Sequence, residues 1–160
     1  MKIKYLLIVI FMVGSSFTYA QNDKLSSLFE KYENEDNVTV VSISKAMFKM
    51  IPGNISTGNV DIKNIVPKIE SLLIITTDKN EMKTKMYSDF KSTIDKDKDF
   101  EELMRVKEGK SNITFNAKKK GDIIKELVML VNDDEDFVAI RILGNFTVED
   151  VQSIAKDHTQ

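Results

Sequence analysis

The chain is 160 residues long, carries 25 acidic against 23 basic side chains for a formal charge of −2 at pH 7, and contains one histidine and no cysteine. That length suits one ordinary domain with its own core. The missing thiols exclude a disulfide framework, a thiolate nucleophile, thiolate metal ligands and a lipid attached at cysteine, and the slight acidity argues against nucleic acid or an anionic membrane surface as partner.

Lys2 and Lys4 stand before an apolar run over residues 5–13, and Thr18-Tyr19-Ala20 precedes Gln21, close to the small-residue pattern of a secretory signal peptide. The apolar run is shorter than the roughly 18 to 20 residues that cross a bilayer. Cleavage is therefore expected near Ala20, leaving residues 21–160 as a single α+β domain, periplasmic or secreted, without a stable membrane anchor. Residues 1–20 carry Lys2 and Lys4 and no acid, so their removal moves the formal charge to −4.

From Asp23, Leu25, Leu28, Phe29 and Tyr32 fall on one helical face. Residues 38–43 are β-branched and read as a strand, and Met47, Met50 and Ile51 suggest a short helix stopped at Pro52-Gly53 before a loop over residues 52–60. Ile62, Ile65, Val66 and Ile69 give a further helical stripe, which Pro67 allows only near a helix start. Residues 72–77 are apolar almost throughout, as in a strand covered on both faces. Asp78 and Glu81 form a capping-box pattern ahead of Met82, Met86, Phe90 and Ile94, a helix ending near Asp95.

Four strands follow, over residues 102–107, 112–118, 123–131 and 137–143, with short turn-forming connections. Ile113, Phe115 and Ala117 alternate with polar neighbours. Thr147 and Asp150 form a second capping box, opening a helix that points Val148, Val151, Ile154 and Ala155 inward, with Phe146 stapled onto Val151. The expected fold is a mixed sheet with a C-terminal antiparallel four-strand meander and helices packed on it.

Markers of chemistry are sparse. His158 lies two residues from the C-terminus, a poor place for preorganised catalysis. There is no Gly-rich phosphate loop, no H-E-x-x-H and no G-x-S-x-G, so no catalytic, cofactor-binding or metal-ligating residue is assigned. Asp95, Asp97 and Asp99 have calcium-loop spacing, but Phe100 stands where the turn needs glycine and Val106 where a bidentate Glu belongs. Asp133, Asp134, Glu135 and Asp136 form an acidic hairpin tip suited to an ion or partner contact. Lys118, Lys119 and Lys120 form a basic tip that reads as a guard against edge pairing. Met47, Phe48, Met50 and Ile51 crowd too many bulky apolar side chains into one short helix for all to point inward, which marks a candidate partner surface.

The strings VSISKAMFKMIP at residues 41–52, FEELMRVKEG at 100–109 and KELVMLVNDDEDFVAIRILGNFTVEDVQSIAK at 125–156 together resemble the DUF4252 family. That resemblance implies a secreted protein from Bacteroidota with one domain over nearly the whole mature chain. It implies no activity and no functional residues. One departure is that the last hairpin holds residues 132–136 where the family pattern suggests glycine. The leading functional expectation is a non-enzymatic module that binds another envelope or secreted protein. The alternatives are a carrier or sensor of a small apolar ligand and a hydrolase built on Glu101, Glu102 and the 133–136 carboxylates, which would need a raised carboxylate pKa in a cleft.

Overall fold

The computed structural model describes residues 23–50 and 66–150. In chain order these form α1 (Lys24–Glu33), β1 (Thr39–Ser44), α2 (Lys45–Met50), a 3-10 turn (Val66–Lys68), β2 (Ile69–Thr77), α3 (Asn80–Lys96), β3 (Phe100–Glu108), β4 (Ser111–Lys120), β5 (Ile123–Asn132) and β6 (Phe137–Phe146). The predicted signal segment, Ile51, the loop over 52–60, Ile62, Ile65, the helix beyond Asp150 and His158 lie outside the described residues.

The six strands form one sheet in the order β1-β2-β6-β5-β4-β3. Every neighbouring pair is antiparallel, so the expected mixed sheet is corrected. No crossover helix sets two strands parallel: β2 returns to β6, and the strands from β3 to β6 pair with their sequence neighbours across short turns. The two-residue turns after β3 and β4 open on Gly109 and Gly121, at φ 56° and 62°, a backbone region that glycine enters without strain.

Sequence signals held best in the helices. In α1, Leu25, Phe29 and Tyr32 are buried, and Asp23 caps the helix by accepting from the Leu25 N–H at 3.2 Å and the Ser26 hydroxyl at 2.8 Å. In α3, Met86, Phe90 and Ile94 are buried, as the four-residue period predicts. Phe29 meets Phe90 edge-on at 4.8 Å, and the Tyr32 hydroxyl donates to Asp89 at 2.7 Å, which joins the two helices.

Two local expectations fail. Lys79, not Asp78, occupies the N-cap of α3, without a side-chain cap; the Thr77 hydroxyl accepts from the Lys79 N–H, and Asp78 pairs with Lys79 at 3.2 Å. Residues 66–69 form no α-helix: Val66–Lys68 make a single 3-10 turn, and Ile69 enters β2 opposite Gly144. Pro67 lacks the N–H that a longer helix would use, and the sheet pairing takes the residues that follow. At the C-terminal end the second capping box is in place, with the Thr147 N–H donating to Asp150 at 2.8 Å and the Asp150 N–H donating to the Thr147 hydroxyl at 3.2 Å.

Candidate functional site

Side chains directly opposite each other in a sheet share a face, so the registers assign every strand residue to a side. Under α1 and α3 lie Ile75, Val128, Leu130, Phe137 and Ala139, which join the helices in the main core. Opposite faces belong to neighbouring residues. Along one row run Val106, Ile113, Val131, Val138, Thr76 and Thr39. The next row is Met104, Phe115, Met129, Ile140, Ile74 and Val41, and a third holds Ala117, Leu127, Ile142, Leu72 and Ile43.

This second face carries almost no polar side chain, yet α1 and α3 leave it open. Among the described residues its third row is covered where it crosses β4 and β5: Ala117 and Leu127 are buried in a cluster with Ile69, Ile124 and Phe146, against which Phe48 of α2 packs, while Ile142, Leu72 and Ile43 are half-buried. In the first two rows Ile113, Phe115, Met129, Val131, Val138, Ile140 and Ile74 are half-buried, and Val41, Met104 and Val106 are exposed. The apolar alternation of β4 thus points away from the helices. Its polar residues, Thr114 and Asn116, are the ones buried beneath α3.

The helix-side polar groups satisfy one another. The Asn112 amide donates to the Tyr87 hydroxyl at 2.9 Å. Arg141 donates to Glu126 at 2.6 Å and to Asp23 at 2.8 Å, and Lys118 lies 2.9 Å from Asp97, 3.7 Å from Asp23 and 4.0 Å from Glu126. Lys118 is therefore not a solvated tip, which corrects its sequence reading: β4 turns it under the start of α1, while Lys119 pairs outside with Glu101. Burial pushes the Asp23 carboxyl up, but the Ser26 hydroxyl, Lys118 and Arg141 outweigh it and hold Asp23 below its usual range. At Asp97 burial is likewise outweighed, mainly by the Lys118 hydrogen bond. Burial alone would lower Lys118, yet Asp97, Asp23 and Glu126 raise it. Such mutual reinforcement of charge is the signature of a structural ion network, the reverse of a carboxyl poised to give up a proton at neutral pH.

The remaining candidate residues separate. Met47 and Met50 project from α2 at 52% and 68% exposure, whereas Phe48 turns inward. The acidic tip closes on itself: Asp133 accepts from the Glu135 and Asp136 N–H groups, which lowers its pKa, Lys83 donates to the carbonyls of Asp133 and Asp134, and Lys110 pairs with Asp134 at 3.0 Å. Of the calcium-like run, Asp95 pairs with Lys91 and Asp97 with Lys118. No cluster of three ligating side chains occurs among the described residues. Glu102 pairs with Arg105 on β3. A cavity of about 10 Å³ lies between Tyr87, Ile94, Arg105, Asn116 and Leu130, space for a single water. Among the described residues no helix is long and apolar enough to cross a membrane.

A family model described as a domain of unknown function, DUF4252, matches residues 32–154. A proline–tRNA ligase from Mycoplasma capricolum is 30% identical over 131 residues, covering 79% of this chain and 26% of that protein, so the chain spans about a quarter of the curated relative it matches. No solved structure matches.

Proposed function

The chain belongs to the DUF4252 family, whose description names no activity, and from that premise we propose that it is a protein-binding module that docks another secreted or envelope protein. The observation that carries this reading is the sheet face opposite α1 and α3, where two largely apolar rows cross from β3 to β1 and, among the described residues, no helix lies above them. Contiguous apolar side chains that stay half-buried or, at Val41, Met104 and Val106, exposed are the makings of an interaction surface. The exposed Met47 and Met50 extend the patch beside β1, and thioethers adapt to a partner's contour. A secretory route fits the signal-like residues 1–20.

The test is a crosslinking pull-down from the native envelope with residues 21–160, set against two variants, Met47→Ala with Met50→Ala and Ile140→Lys. A specific protein captured by the unaltered chain and lost from both variants is the expected result. No protein above background would overturn the reading. Lipid extracted with the purified chain, in the absence of a captured protein, would favour the ligand-carrier alternative.

A further inference from the structure

The two edges of the sheet are unlike. β3 carries Glu101, Glu102, Arg105, Lys107 and Glu108, charges that oppose pairing with another strand, whereas β1 reads Thr39-Val40-Val41-Ser42-Ile43-Ser44 without a charge or a proline. β1 is terminal in the order of the described strands, and five of its six residues are exposed. An edge of this kind is a template for strand addition. What distinguishes it is the charge at its two ends. Glu35 and Asp36 lead into β1, and Lys45 and Lys49 follow it on α2.

An antiparallel second strand with the opposite charge order would meet acid with base at both ends. The chain's own β1, turned by a two-fold axis, has that order. We infer that β1 is the interface of a symmetric dimer in which two sheets join edge to edge; this rests on the protein-binding reading above and names a second copy of the chain as the partner. A two-fold axis normal to the sheet preserves its faces, so it is centred on a residue and paired residues share a side; of these registers, only centres at Val41 and Ser42 keep most of the six-residue strand paired. Centring on Ser42 places Val41 against Ile43 of the other copy twice over, all on the open apolar face, and Val40 against Ser44 beneath. Centring on Val41 instead sets Thr39 against Ile43, a poorer match. The Ser42 register also runs the row that ends at Val41 of each copy into the row that ends at Ile43 of the other, and brings Lys45 of each copy opposite Thr39 of the other, near its Asp36.

The charge order makes the test specific. Residues 21–160 are followed by sedimentation equilibrium for the unaltered chain, for Lys45→Glu with Lys49→Glu, and for Glu35→Lys with Asp36→Lys. The unaltered chain is expected to dimerise, each variant alone to be monomeric, and an equimolar mixture of the two variants to recover the dimer. The chain has no cysteine, so Ser42→Cys supplies a lone thiol that oxidises to a covalent dimer if the two Ser42 positions face each other, whereas Ser44→Cys does not. A monomeric unaltered chain, variants that still dimerise alone, a mixture that stays monomeric, or equal crosslinking at both positions would each overturn the inference. A monomeric chain that still captures a different protein in the pull-down would sink the dimer and leave the protein-binding reading standing.

Discussion

Arg141 is the one charge of β6, Glu126 is the charge of β5 that turns to the same face, and the register places them within hydrogen-bonding reach beneath α1. Arg141 is 13% and Glu126 8% exposed, so neither can turn to bulk water if its partner is removed. Arg141 also lies over the Phe29 ring at 5.7 Å. Breaking a buried pair from one side costs more than replacing both partners with packed apolar groups. Arg141→Met is therefore expected to destabilise the chain by about 3–5 kcal/mol, and Arg141→Met with Glu126→Leu by about 1 kcal/mol or less. Urea unfolding with an unchanged slope reads both values. A double variant as unstable as the single one would show that the Glu126 carboxylate is sustained by Lys118 and solvent alone. The pair is not legible in the sequence because an isolated charge or a Lys-Glu step in a strand has no periodic signature; only the register reveals the partner. The same lack of register made Lys118 look like part of an exposed lysine run.

At the scale of elements, helices were legible because an amphipathic stripe repeats over several turns, and α1 and α3 bury the residues that the stripe names. Short segments were less legible, since tertiary contacts outweigh weak local preference there. Residues 66–69 illustrate this. The 3-10 turn is held where β6 passes beneath it at Gly144, whose position would place a Cβ 2.3 Å from the Lys68 carbonyl oxygen and 2.5 Å from the Phe146 ring. The first of these neighbours is backbone and cannot rotate away. Gly144→Ala is accordingly expected to lower stability by about 1–3 kcal/mol through forced displacement of the turn from β6, seen as a fall in Tm. The loss should appear although the added methyl is apolar and the φ of Gly144 suits any residue. An unchanged Tm would mean that the 3-10 turn shifts freely and does not fix the start of β2.

At the scale of the whole molecule, period-2 alternation in β4 showed from the sequence that its two faces differ, yet it could not say which one the helices cover. The intuitive assignment, apolar side under the helices, is the wrong one for this strand: Thr114 and Asn116 are buried beneath α3, and Ile113 and Phe115 face outward. The candidate surface was legible only at its α2 border, where crowding of Met47, Phe48 and Met50 gave a local signal; its main extent depends on strand order. Ile74 and Ile75 test this division with one residue type at adjacent positions. Ile75 is fully buried among the α1 and α3 side chains, while Ile74 is half-buried in the middle open row. Ile75→Ala is expected to cost about 2–5 kcal/mol, the range for truncating a packed core isoleucine, and Ile74→Ala less than about half of that. Capture of the partner should change in the opposite sense, falling for Ile74→Ala and persisting for Ile75→Ala wherever the chain stays folded. Equal stability losses at the two positions would show that the isolated chain already packs its second face, leaving no apolar platform for another protein to occupy.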